Sequence, residues 1–319
     1  MSSAPHETEA RVAVLGGSGF IGRVLGNRLT ELGHEVVSIA RTEPAEPVPG
    51  RFVPFDLSSA APAELTELLT RERVGLVVNA AGGMWGLTDE QMHVANVVLV
   101  DRLIEAIGAM DRPARLVHLG TVHEYGMVPI GTSQSEDGPA APVMEYGKLK
   151  LAATEAVTRA VREHGLDAVT LRLGNVVGAG QPGHSLLGVM AAKLDEARLA
   201  GRTAELSLAP LTAQRDFVDL TDTVDAVLAA ATATDLPPVL NIGTGSATSA
   251  RELVELLIEV SGVPTEITEV PGPDGAGPET EWQQLDVTAA RERLGWTPER
   301  DMRDAVESLW QARIRPAAG

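Results

Sequence analysis

Cysteine is missing from this chain of 319 residues. That absence excludes disulfides and thiolate metal sites and agrees with a reducing compartment, so a cytoplasmic location is expected. Seven histidines show no metal-ligand spacing, and no metal site is read. Basic charge is short: 26 Lys and Arg stand against 44 Asp and Glu, leaving a formal charge of −18. A field of that sign repels nucleic acid and anionic membrane surfaces, which are excluded as partners. No apolar run is long enough to span a membrane. The opening MSSAPHETEA lacks the apolar stretch of a leader and reads as a loose tail. Aromatic residues make up only 3%, with two tyrosines, Tyr125 and Tyr146; the lysines are Lys148, Lys150 and Lys193.

What is present alternates. RVAVLGG (Arg11–Gly17) is a short apolar run ending in glycine, hence a buried strand. Ile21, Val24, Leu25, Leu29 and Leu32 then recur at helical spacing, and Gly33 stops the helix. HEVVSIAR, RFVPFD, VGLVVNAAG, ARLVHLGT and LDAVTLRLGN read as further strands. Helical segments are expected near Glu90–Met110 and Glu145–His164. Strands alternating with helices predict an α/β fold with a Rossmann-type, doubly wound parallel sheet. Residues 11–175 form the expected dinucleotide-binding domain. After Asn175 the chain turns to Gly/Pro loops such as VVGAGQPGH and VPGPDGAGPE. Residues 176–319 are read mainly as a smaller substrate-binding lobe, with segments about 215–245 returning to the main sheet.

GGSGFIG joins the first strand to the first helix. Gly16, Gly19 and Gly22 are three apart, and Gly17, Gly19 and Gly22 also fit G-x-G-x-x-G. Glycines here permit a tight turn and let backbone approach a pyrophosphate. The helix beginning at Phe20 and Ile21 offers its N–H groups to the phosphates. The second strand ends in Ala40 and Arg41, where an acid that would select NAD is usual. Arg41 suits a 2′-phosphate, whereas Glu43 slightly further on suits NAD; NADP(H) is favoured and NAD(H) stays open. Asp56 and Leu57, after the third strand, are placed near the adenine, although a turn aspartate reads equally well.

Tyr146 and Lys150 share a helix face at i and i+4. An ammonium and an oxidised nicotinamide both favour the phenolate, so a tuned tyrosine can exchange a proton with an alcohol or carbonyl oxygen as hydride moves.

On these residues the chain resembles an extended short-chain dehydrogenase/reductase of the NAD(P)-dependent nucleotide-sugar epimerase/dehydratase/ketoreductase group, from about Arg11 to Trp310. GGSGFIG, YGKLK, HLGTVHEYG, RLGNVVGAGQ, RDFVDLTD, NIGTG and LGWTP carry the resemblance. It implies that Tyr146 is the acid–base, that Lys150 holds the nicotinamide ribose, and that Thr121 binds the reacting oxygen. Asn79, Ala80 and Ala81 end the fourth strand, where the cofactor runs past; Asn96 matches a family asparagine on the following helix. Asn175 is expected at the substrate phosphates, Arg215 at the nucleotide diphosphate, and His123 over the sugar. A homodimer and a nucleotide-sugar substrate are implied.

Departures narrow the reading. Dehydratases of this group carry Asp-Glu after the threonine, where this chain has Val122 and His123, so dehydration is disfavoured. A second arginine often precedes an aspartate such as Asp286, but GAGPETEWQQLD contains none. The expected activity is NADPH-dependent reduction of a dTDP-4-keto-6-deoxysugar. The alternatives are a nucleotide-sugar 4-epimerase, a carbonyl reductase on a non-nucleotide substrate, and a non-catalytic dinucleotide sensor.

Overall fold

The structure is a computed structural model that describes residues 10–44, 46–270 and 281–315. Of the tail expected at 1–10 and the loop expected at 270–279, all but Ala10 and Val270 lie outside the described residues. The strands are β1 (Arg11–Leu15), β2 (Val36–Ala40), β3 (Arg51–Pro54), β4 (Val74–Asn79), β5 (Arg115–Thr121), β6 (Ala168–Leu173), β7 (Asn175–Val177), β8 (Ala204–Leu208), β9 (Gln214–Asp219), β10 (Val239–Ile242), β11 (Ala247–Ser249), β12 (Thr265–Glu269) and β13 (Trp282–Gln283). The helices are α1 (Phe20–Glu31), α2 (Pro62–Arg71), α3 (Asp89–His93), α4 (Leu99–Gly108), α5 (Glu145–His164), α6 (Leu186–Ala200), α7 (Leu220–Thr232), α8 (Ala250–Ser261), α9 (Thr288–Leu294) and α10 (Met302–Ile314).

Seven strands form one sheet in the order β10-β6-β5-β4-β1-β2-β3. The chain runs outward from β1 to β3, then restarts at β4 on the other side of β1. That reversal defines a doubly wound Rossmann-type sheet and opens a crevice at the C-terminal ends of β1 and β4. The pairings β1–β2, β2–β3, β1–β4 and β4–β5 are parallel. The strands are near-continuous apolar runs because both faces are covered.

The helix expected at Glu90–Met110 is interrupted. Val94–Val98 is a π-helical turn between α3 and α4. Its buried Asn96 donates through Nδ2 to the Met92 carbonyl at 2.8 Å and to the Gly83 carbonyl at 2.7 Å. Met92 O is the acceptor that an α-helix would reserve for the Asn96 backbone N–H, so the side chain takes over a backbone role.

The chain divides into two compact units: residues 1–119, 149–170 and 230–239, and residues 120–148, 171–229 and 240–319. The boundary expected at Asn175 thus falls inside the second unit. Within 215–245, Val239–Ile242 joins the seven-stranded sheet, while Gln214–Asp219 pairs with β11, β13 and β7. The first unit is built on a core that includes Leu15, Ile39, Leu68, Leu103, Ile107 and Leu116. The second has its own core on α6, β8, α8 and α10, including Leu194, Leu206, Leu257 and Trp310.

Two buried carboxylates organise the second unit. Asp216 accepts from the backbone N–H groups of Thr244, Gly245 and Leu285 and from the Thr244 hydroxyl, at 2.7–3.2 Å. This explains NIGTG: a Cβ at Gly243 would stand 2.9 Å from that carboxylate. Asp222 accepts from the N–H groups of Glu299 and Arg300 and from the Arg300 guanidinium. The Trp296 indole donates to the Asp222 carbonyl, which accounts for the LGWTP landmark. Asp216→Ala strands several buried donors, each costing about 1–3 kcal/mol. We expect a loss of at least about 3 kcal/mol, read by urea unfolding.

Candidate active site

At the first unit's crevice the glycines are there for contact. Gly16 has φ +76°, and a Cβ on it would stand 2.8 Å from the Ala80 carbonyl. A Cβ on Gly22 would lie 2.2 Å from the Gly16 carbonyl, and one on Gly17 would meet Ser38 Oγ at 2.8 Å. The turn is therefore pressed against β4's end and the first turn of α1. Gly19 is the N-cap of α1 and supplies no side-chain cap, and no acid stands in the first turn. Backbone N–H groups and the positive end of the helix dipole are left for an anion. Phe20 and Ile21 are half-buried there. These features fit a dinucleotide pyrophosphate.

The other residues expected at this end divide. Arg41 and Glu43 are exposed beyond β2. Asp56 accepts from the Ser58 N–H and hydroxyl and the Ser59 hydroxyl; the Ser58 hydroxyl bond is foremost in holding its carboxyl below the usual range. It closes its own turn. Leu57 packs into the core, so its side chain is not presented to a ligand. Ala80 N donates to the Leu15 carbonyl, and Ala81 N donates to Asn79 Oδ1.

Lys150 is buried and donates to the Leu119 carbonyl at 2.6 Å. Its Nζ lies 3.5 Å from Nε2 of His118, whose Nδ1 lies 3.1 Å from Asn79 Nδ2. Burial, and then the Lys150 charge, hold the His118 pKa well below its usual value, so this imidazole is neutral. Sequence reasoning missed His118; the available signal was a histidine inside the apolar run LVHLG.

In the second unit, β5 ends at Thr121. Thr121 is the N-cap of a 3-10 turn, Val122–Glu124. Its Oγ1 accepts from the His123 N–H, and its own N–H donates to Glu124 Oε1 at 2.9 Å. The capping box turns the chain at Thr121, so Thr121 and His123 are not related by strand alternation. His123 nonetheless comes to Tyr146: the rings stand edge to face with centroids 6.3 Å apart. Gly147 makes this approach possible, since a Cβ there would lie 2.4 Å from the His123 carbonyl.

Tyr146 is half-buried, and desolvation followed by the Glu124 charge pushes its phenol up to about 12. Burial first, then Arg215, lowers the His123 pKa against an opposing push from Glu281. That shift disfavours the protonated imidazole at neutral pH. Glu124 is fully buried and pairs with Arg172 Nε at 2.7 Å. Arg172 also stacks 4.5 Å from the Tyr125 ring centroid. Neither member of this pair stood out in the sequence.

Asn175 Nδ2 donates to the Asp216 carbonyl and to Gln283 Oε1. Arg215 is ion-paired with Glu281. Glu281 belongs to the stretch in which a second arginine was sought, and instead supplies an acid to the first. Lys148 is exposed and pairs with Glu145. Among the described residues no group of His, Cys, Asp or Glu is arranged to hold a metal ion, and no helix is long and apolar enough to cross a membrane.

The glycine turn, the doubly wound sheet and the Tyr-x-x-x-Lys helix define a class: an NAD(P)-dependent oxidoreductase of the extended short-chain dehydrogenase/reductase type. Residues 12–243 match the model of the NAD dependent epimerase/dehydratase family, and the chain belongs to that family. It is 75% identical over 310 residues to a dTDP-6-deoxy-L-talose 4-dehydrogenase (NAD(P)(+)) of Kitasatospora kifunensis, covering 97% of this chain and 98% of that one. A UDP-glucose 4-epimerase of Mycolicibacterium smegmatis is 31% identical, with 91% and 94% covered. The solved structure of MoeE5 with UDP-glucuronic acid and NAD superposes with a TM-score of 0.80 at 27% identity, covering 95% and 98%.

These relatives correct the expected reduction of a keto sugar, since the 75% identical protein is a dehydrogenase. The error has a physical source. Arg41 suggested NADPH, and NADPH suggested reduction, but a binding group for a phosphate carries no information about hydride direction.

Glu124→Gln leaves Arg172 buried without its counter-charge, which typically costs about 3–5 kcal/mol. We expect a loss of that size in chemical unfolding, with part of it recovered in Glu124→Leu/Arg172→Met.

Proposed function

We propose that this protein oxidises the C4 hydroxyl of a dTDP-6-deoxyhexose, the reaction type in the name of its 75% identical relative. That identity, extending over 97% of the chain, is the observation that supports the reading most. The chain's own residues suit the chemistry. When bound, NAD(P)+ supplies the acceptor for the C4 hydride. Tyr146, as phenolate, takes the hydroxyl proton as the C4–H electron pair leaves and C4=O forms. Thr121 hydrogen-bonds the reacting oxygen. Lys150 holds the nicotinamide ribose and adds positive charge on the same face of α5 as Tyr146. Gly16, Gly19, Phe20, Ile21 and Gly22 receive the pyrophosphate. Ala80 and Ala81 line the path beyond β4, and Arg215, released from Glu281, meets the substrate diphosphate. A homodimer belongs to the same reading.

A phenol held near 12 is a poor base at neutral pH, so positive charge must reach it. Oxidised nicotinamide carries that charge and the reduced form does not, which ties activation of Tyr146 to the oxidising state of the cofactor. Tyr146→Phe is expected to retain cofactor binding and to lose about 10²–10⁴-fold in turnover, followed by NAD(P)H absorbance with the dTDP-sugar. Undiminished turnover removes the assigned role.

Arg41 supports a preference for NADP+ over NAD+ within this reading. A charge-assisted hydrogen bond is worth about 1.5–3 kcal/mol, so Arg41→Ala should weaken NADP+ use about tenfold or more and leave NAD+ use unchanged. Equal KM values for the two cofactors in the wild type count against it. The 4-epimerase relatives at about 30% identity support a second reading. Interconversion of C4 epimers without net NAD(P)H formation distinguishes it.

A further inference from the structure

Three side chains of the second unit form a directed chain: Asn175 on β7, Gln283 on β13, and His123 in the turn after β5. Asn175 Nδ2 lies 3.1 Å from the backbone carbonyl of Asp216. A carbonyl only accepts, so Asn175 must present its NH2 there. The same NH2 stands 3.3 Å from Gln283 Oε1 and donates to it. With Oε1 engaged, Gln283 turns Nε2 toward His123 Nδ1 at 3.2 Å. An amide nitrogen only donates, so Nδ1 must be the bare acceptor, and the ring proton resides on Nε2.

We propose that Asn175 and Gln283 are positioning residues that hold His123 as its neutral Nε2–H tautomer, so that it meets the sugar as a hydrogen-bond donor and not as a base. The part of this concerning the sugar rests on the reading of the chain as a 4-dehydrogenase; the tautomer does not. Protonating the ring would set His123 Nδ1–H against Gln283 Nε2–H, donor against donor. Gln283 is 2% exposed, so little solvent is at hand to relieve that conflict. The charged neighbours are Arg215, which opposes protonation, and Glu281, which favours it less strongly; Tyr146 faces the ring edge-on.

The chemical consequence is selective. A neutral imidazole N–H seeks an oxygen lone pair, as a sugar hydroxyl or carbonyl provides. It does not remove a proton from the carbon beside a ketone. His123 thereby favours a substrate oxygen near the reacting carbon while leaving adjacent stereocentres untouched. Asn175 is the first link of the chain.

Long-range ¹⁵N NMR of the full-length protein reads the tautomer, with His123→Asn identifying the His123 resonances. In the wild type we expect an unprotonated Nδ1 and a protonated Nε2 at neutral pH. In Gln283→Glu the carboxylate accepts a hydrogen bond from Nδ1–H and stabilises the imidazolium, so the His123 titration moves up by about 1 pH unit or more. The same variant should raise KM for the sugar more than it lowers kcat. Gln283→Leu removes the director and should give mixed tautomers; it serves if Gln283→Glu does not fold. A wild-type Nδ1–H tautomer, or an unmoved His123 titration in Gln283→Glu, overturns the proposal. A locked Nε2–H tautomer in a protein that forms no NAD(P)H from the dTDP-sugar overturns the proposed function instead.

Discussion

The second unit depends on the buried ion pair between Glu124 and Arg172. A fully buried carboxylate needs a counter-charge or a full set of hydrogen-bond donors. Glu124 has both: one oxygen closes the turn after β5 by accepting from Thr121 N, and the other meets Arg172 on β6. Arg172 stacks on Tyr125, whose hydroxyl donates to Asn241 Oδ1 at 2.7 Å. The Asn241 amide passes on to the carbonyls of Gln134 and Asp286, and its N–H donates to Glu136. One charge requirement thus fixes the turn carrying Thr121 and His123, β10 and the segment around Asp286 together.

The same pair sets the electrostatics beside the phenol. Tyr146 sits near a negative charge that must stay negative to hold the turn, and burial adds to the cost of phenolate. A reading along α5 alone sees only Lys150 at i+4 and expects a lowered pKa. The raised value comes first from desolvation, which no local pattern encodes, and then from Glu124, 22 positions earlier. Burial, reinforced by the Glu124 charge, makes the phenol a conditional base, inert until positive charge is supplied.

Much of the first unit is legible in the sequence for physical reasons. Parallel strands buried on both faces must be nearly all apolar, and their crossover helices must begin and end at glycine, proline or polar caps. The strands from β1 to β6 are therefore marked at both ends. GGSGFIG is legible because backbone pressed against backbone admits no Cβ at Gly16 or Gly22. The π-turn around Asn96 is not, since its surroundings keep the apolar spacing of an ordinary helix. Nor is the chain from Asn175 to His123. Gln283 and His123 are 160 positions apart and meet only because β13 pairs with β9. WQQLD offers two glutamines, and nothing local says which one is buried.

The direction of hydride transfer is illegible for a deeper reason. Tyr146, Thr121 and Lys150 serve a C4 alcohol and a C4 ketone through one transition state, so by microscopic reversibility no arrangement of those three residues favours one direction. What a protein can choose is which ground state it binds. A ketone oxygen and an alcohol oxygen both accept from an N–H, but only the alcohol also donates. A fixed His123 donor therefore recognises either form, leaving the cofactor's redox state to decide whether Tyr146 takes up the proton or gives it. Orientation belongs to the fold, and direction belongs to the cofactor and substrate supplied to it.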